Sequence, residues 1–191
     1  MRYLPLLMFI GLFTGTLPGQ ETLPEGVDVG PARQLMSFDE GIRELFGTNL
    51  QMKRDTLLFT GEALAQVEQK LHTSVWDSSV IVHRIYRDNT LLGYGVITNE
   101  YGKYRPITIL VGVKPDISVQ GVRILVYREN RGGEVRRKRF LHQYRNKTLT
   151  DPIRINRDII NISGATISVR SVNAGVRKVL HLLESKYTPS S

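Results

Sequence analysis

The chain has 191 residues, 41% of them hydrophobic and 23% charged, with no cysteine and 26 Lys and Arg against 18 Asp and Glu. That length suits one domain with a real core, and the hydrophobic share excludes general disorder. The lack of cysteine excludes disulfides, thiolate-bound zinc, iron–sulfur clusters, covalently held c-type haem and thiol catalysis. The formal charge of +8 points to an anionic partner, ligand or surface without choosing among them.

In chain order, Met1-Arg2 precedes an apolar run from Tyr3 to Phe13, then Thr14-Gly15-Thr16-Leu17-Pro18-Gly19. A positive start, a short apolar stretch and small residues after it read as a secretory signal over 1–19. The alternative is an N-terminal anchor, but a helix over that run rises only about 16 Å, roughly half a hydrocarbon core. Pro5 also weakens the run as a spanning helix. Residues 20–32 hold Pro24, Gly26, Gly30 and Pro31 and read as a linker, leaving 33–187 as the folded domain and 188–191 as a tail.

Ser37-Phe38-Asp39-Glu40 has the form of a capping box, and the helix it opens should stop near Gly47. A second helix is expected from after Thr60 to about Leu71, with Ala63, Leu64, Val67 and Leu71 on one face. The period then changes. Ser78–Arg87 and Thr90–Thr98 are β-rich runs joined by Asp88-Asn89, a hairpin signal. Ile107–Val113 and Ile117–Tyr127 follow as two further strands, separated by Lys114-Pro115-Asp116. The chain should be helical from Glu134 to Tyr144, and again from Val169 to Lys186. There Val169, Val172, Val176, Val179 and Leu183 form an amphipathic stripe that must bury against the sheet. The fold class is therefore α+β, an antiparallel sheet packed with flanking helices.

Two stretches carry chemistry. Ile162-Ser163-Gly164-Ala165-Thr166-Ile167-Ser168 stands just before the last helix. Its plain reading is a loop feeding an N-cap. Its functional reading is a place where small residues leave room, backbone donors are exposed and the helix dipole favours phosphate. The second stretch, Tyr127 to Val135, contains Glu129-Asn130-Arg131-Gly132-Gly133-Glu134 and is followed by Phe140-Leu141-His142-Gln143-Tyr144. A glycine pair between strand and helix lets backbone approach a flat or anionic ligand, although it also serves as a simple turn.

Taken together, over roughly residues 78–184, these stretches resemble the FMN-binding domains of flavin subunits in membrane redox pumps and of small exported flavoproteins. Ser163-Gly164-Ala165-Thr166 resembles that family's attachment motif. The resemblance implies FMN as cofactor, joined through its phosphate to the Thr166 hydroxyl by a dedicated flavin transferase. It further implies that Ser163, Gly164, Ala165 and Ser168 line the site. The loop of Glu129, Arg131, Gly132, Gly133 and Glu134 would lie against the ring, and the 140–144 segment also resembles a family motif. Two positions depart from the pattern: Ile160 stands where an acid often precedes the motif, with Asp158 the nearest one, and Val169 replaces a second Ser. Reversible FMN binding therefore stays open beside covalent attachment.

Residues 122–157 hold eleven Arg and Lys against Glu129, Glu134 and Asp151. Most read as a solvated face, but a few suit an FMN phosphate or a reduced flavin, Arg131 foremost because it lies in the glycine loop. The rival is a basic anion-binding module without redox activity, with Tyr127, Phe140 and Tyr144 among the basic residues. The export signal argues against nucleic acid. The four histidines (His72, His83, His142, His181) show no metal spacing, and neither a G-x-S-x-G elbow nor a P-loop occurs. The expectation is an extracytoplasmic electron carrier, in a periplasm or against a membrane surface, exchanging electrons with a membrane redox complex or an extracytoplasmic donor or acceptor. It would be a carrier before an enzyme with its own substrate.

Overall fold

The structure is a computed structural model that describes residues 32–58 and 79–187, with Ala65, Glu68 and Gln69 between them. The expected leader, the linker up to residue 31, the tail, and the helix expected over Thr60–Leu71 apart from those three positions lie outside the described residues. In chain order the elements are β1 (Arg33–Gln34), α1 (Phe38–Phe46), β2 (Gln51–Leu58), β3 (Ser79–Arg87), β4 (Thr90–Tyr101), β5 (Pro106–Val113) and β6 (Val119–Tyr127). Beyond β6 come a 3-10 turn (Gly133–Arg136), the one-turn helix α2 (Lys138–Leu141), a second 3-10 turn (His142–Tyr144) and α3 (Thr166–Tyr187).

The six strands form one antiparallel sheet in the order β1-β6-β5-β4-β3-β2. The four expected strands are its centre. At the β3–β4 hairpin, Asp88 (φ 47°) and Asn89 (φ 63°) are both left-handed, as the two-residue turn that matches strand twist requires. Both outer strands were missed in the sequence. β1 is two residues long, and β2 buries only Leu57, so it shows no apolar alternation.

Alternation along the central strands builds two cores. Ile107, Ile109, Val111 and Val113 of β5 are fully buried toward α3, while Leu110 points to the other face and meets α1. The capping box at α1 forms as expected: the Ser37 hydroxyl accepts from the Glu40 amide (3.2 Å) and the Glu40 carboxylate accepts from the Ser37 amide (2.7 Å). Gly47, at φ 90°, ends the helix. The stripe of α3 (Val169, Val172, Val176, Val179 and Leu183) is completely buried. Each such side chain contributes about 1.5–3 kcal/mol, so this contact dominates the domain. The helix is also tied at its far end, where the Tyr187 hydroxyl donates to Asp55 (2.9 Å), itself paired to Arg84. Midway, the Tyr144 hydroxyl donates to Asn173 (2.6 Å).

Two expectations need correction. The helix expected over Glu134–Tyr144 is broken into three short pieces, because Arg137 is extended (ψ 130°). Of the buried residues there, Phe140, Leu141 and Tyr144 keep a helical step, whereas Val135 stands five residues before Phe140 and would leave that face in one continuous helix. The last helix begins at Thr166, three residues before the expected start. The chain between them, 145–162, is fixed by Asp158, which accepts from the Ile153 and Arg154 amides and pairs with Lys147 at 2.9 Å. Gln143 adds to this by accepting from the Ile160 amide (2.8 Å).

Candidate functional site

Three segments converge at the N-terminal end of α3: the β4–β5 turn at 102–105, the glycine loop after β6, and the Ser163–Thr166 turn. The turn is closed by the Ala165 amide donating to the Ile162 carbonyl (3.0 Å), with Gly164 in the left-handed region at φ 80°. Because the helix starts at Thr166, the residue before it is Ala165, whose side chain has nothing to cap with. The plain N-cap reading of the hydroxyls is therefore replaced. The Thr166 oxygen accepts a hydrogen bond from Asn161 Nδ2 (3.0 Å) and stands half-buried in the wall of a cleft. The amides of the first helical turn have no carbonyl behind them within the helix, which gives that wall a positive end of a dipole.

The cleft beside Thr166 has a volume of about 710 Å³ and is bounded by Lys103, Tyr104, Glu129, Arg131 and the Gly164–Ser168 run. A second cleft of about 410 Å³ lies against Gly132, Gly133, Glu134 and Ser163. Glu129, Asn130, Arg131 and Gly164 line both, so the two are neighbours across one shared wall. All ten residues singled out in the sequence thus line one cleft or the other.

Their tasks differ. Glu129 Oε1 accepts from the Tyr104 (2.6 Å) and Arg105 (2.8 Å) amides, so this carboxylate pins the β4–β5 turn that forms the far wall. Ser168 is only 5% exposed and acts behind the wall. The Tyr127 hydroxyl donates to the Arg131 carbonyl (2.5 Å), so at the Ser168 Oγ contact (2.9 Å) the serine is the donor. Burial, ahead of any charge, pushes the Tyr127 phenol above its ordinary range, and it stays protonated as this bond requires. Gly132 (φ 80°) fits against that pair: a Cβ there would lie 2.6 Å from Ser168 Oγ and 3.0 Å from the Tyr127 hydroxyl. Phe140 and Tyr144 of the 140–144 motif are buried, packing edge to face, and support the site from beneath.

Lys103, Tyr104 and Asn161 were missed, and Tyr127 was singled out only as an aromatic residue among the basic ones. Tyr127 ends a strand, and Asn161 sits two residues before the motif serine, so both were close to visible signals. Lys103 and Tyr104 sit in a turn without a motif, and only the fold brings them here.

Residues 102–181 match the family described as FMN-binding domain. The match bears out the resemblance carried by the two motifs. The matched span contains every residue of both clefts except Arg33. No curated protein matches the chain. The cofactor that the FMN-binding domain indicates is FMN, and the site fits it in four respects. The Thr166 cleft has the volume of a cofactor site. A Cβ at Gly164 would meet nothing within 4 Å, so the wall is open where a bulky group would enter. Asn161 Oδ1 is buried without a hydrogen-bond partner among the described residues, an orphan acceptor beside the Thr166 oxygen. Lys103 and Arg131 bring positive charge to the same cleft for a phosphate.

Proposed function

We propose that this FMN-binding domain is an exported electron carrier whose FMN is joined by a phosphodiester bond to Thr166. The observation that supports the covalent reading is the Thr166 hydroxyl itself: it stands at the cleft wall, at the positive end of α3, and serves no capping role. In maturation, the Thr166 oxygen forms a bond to the phosphorus of an activated flavin nucleotide brought by a transferase. As that bond forms, the hydroxyl proton departs and the bond to the nucleotide's leaving group breaks. Asn161 orients the oxygen, while Lys103, Arg131 and the first-turn amides balance the phosphate charge. When bound, the flavin supplies the redox chemistry. The domain holds it, keeps one wall rigid through Glu129 and Tyr127, and leaves the other side open to partners.

A tether also suits a compartment poor in free flavin, since a micromolar site, worth about 8 kcal/mol, empties where the ligand is scarcer than that. Export rests on the basic start and short apolar run at 1–19. Ile160 is 77% exposed, so it offers a transferase an apolar surface where the family often has an acid. Asp158 cannot replace that acid, being held by Lys147 and two amides. The partners of this reading are the transferase, then a membrane redox complex or another extracytoplasmic donor or acceptor.

The test is to express the full chain with a flavin transferase, denature it, and look for flavin fluorescence migrating with the polypeptide. Thr166→Val should lose that fluorescence while keeping its circular dichroism and melting point. Fluorescence retained by Thr166→Val, or absent from both proteins, overturns the covalent reading.

A further inference from the structure

The smaller cleft has a property that the flavin reading does not use. Four guanidinium groups (Arg33, Arg131, Arg136 and Arg137) line its 410 Å³, against the carboxylates of Glu129 and Glu134. Glu129 has one oxygen committed to the Tyr104 and Arg105 amides, which lowers its value as a partner for arginine. Three carboxylates of this region are already engaged by other basic residues: Glu44 pairs with Arg123 and Lys138, and Asp151 and Asp158 pair with Lys147. Among the described residues, none of the four cleft arginines has a carboxylate within ion-pair distance. Unpaired like charges gathered around a concavity repel one another, and the arrangement is relieved when an anion enters. Guanidinium groups are also the side chains whose planar fork matches carboxylate and phosphate oxygens in pairs.

We infer that this cleft is a second binding site, for a small multivalent anion bearing carboxylate or phosphate groups. Arg131 and Gly164 line both clefts, so the anion sits beside the Thr166 cleft without occupying it. Gly132 is buried with its Cα directed at Ser168 Oγ and the Tyr127 hydroxyl, so packing behind the loop holds the wall of this cleft in place. Anion binding here is independent of the flavin reading. Its use, admitting an anionic electron donor or acceptor to the edge of the flavin, rests on that reading.

The test uses the Thr166→Val protein, which carries no tethered flavin, at constant ionic strength. Succinate and inorganic phosphate are titrated while the backbone amide resonances of Gly132, Gly133 and Gly164 are followed. The expected result is saturable shifts at these glycines with either probe. In the Arg136→Gln/Arg137→Gln double variant the dissociation constant should rise about tenfold or more, the effect of losing one charge-assisted hydrogen bond. A third arm measures sedimentation with vesicles containing phosphatidylglycerol. Absent or non-saturable shifts, or shifts that the double variant leaves unchanged, overturn the inference. So does vesicle binding that the double variant abolishes when neither small anion shifts the glycines, because the arginines then serve a lipid surface. Failure here leaves the fluorescence test of Thr166 untouched, and failure of that test leaves this one readable.

Discussion

Gly132→Ala tests whether the glycine loop is shaped by its contact with the helix start. Two costs add at this position. A non-glycine residue in the left-handed region costs about 1–2 kcal/mol. The new methyl would stand 2.6 Å from Ser168 Oγ and 3.0 Å from the Tyr127 hydroxyl, so it must displace a hydroxyl pair that is otherwise hydrogen-bonded. Overpacking of this kind costs about 1–3 kcal/mol, and the total expected loss is about 2–5 kcal/mol. Gly164→Ala is the matched control, because Gly164 has the same φ of 80° but nothing within 4 Å of a built Cβ. It should lose only the conformational term of about 1–2 kcal/mol. The gain from restricting the unfolded chain is common to both and cancels in the comparison. Urea unfolding at unchanged slope measures each loss. Gly132→Ala should also lower flavin loading, because the Arg131 carbonyl moves with the loop. Equal losses at the two glycines, within about 0.5 kcal/mol, refute the packing argument.

Three further outcomes follow from the same geometry. Asn161→Ala should leave the fold intact and slow attachment at Thr166 by about tenfold, the value of one orienting hydrogen bond, as timed by flavin fluorescence on the polypeptide; an unchanged rate removes Asn161 from that task. For Asp158, burial works against the charge, but the Arg154 amide, the Lys147 ammonium and the Ile153 amide outweigh it and hold the carboxyl below the usual 3.8. For Asp151, the Thr148 amide leads the same downward shift. These groups contribute stability in full above the unfolded pKa, lost as pH falls through the folded values, so the melting point should drop between pH 5 and 3. Asp158→Asn should melt lower at pH 7 and show a shallower acid drop; an identical acid drop would refute the assignment. Arg131→Ala should lower the reduction potential of the loaded protein by removing positive charge near the reduced flavin, and an unchanged potential takes Arg131 out of that role.

Much of the fold is legible because its signals are local. The Ser37–Glu40 box needs only four residues to declare a helix start, Asp88-Asn89 needs only its own left-handed backbone, and the valine stripe of α3 repeats at the helical interval. The strand β2 is invisible for a physical reason: an edge strand exposing Lys53, Arg54 and most of its neighbours has no buried face to imprint on its composition. The 133–144 segment misled because its apolar residues are consistent with a helix until Arg137 turns the chain out of it. At the site, the motif residues were visible, but the division of labour among them was not. That Glu129 braces a turn twenty-five residues earlier, and that Ser168 supports the loop from behind, are products of tertiary contact. So is the recruitment of Lys103 and Tyr104.

The anchoring of α3 has a consequence for the attachment proposed at its first residue. With Tyr187 fastened to Asp55 at one end of the helix and the buried valines gripping its length, Thr166 sits at the tip of a strut about 33 Å long that can neither slide nor swivel. Induced accommodation must then come from the visitor. A rigid tip offers its hydroxyl in one attitude only, which under the proposed attachment would let geometry alone tell this threonine from any other.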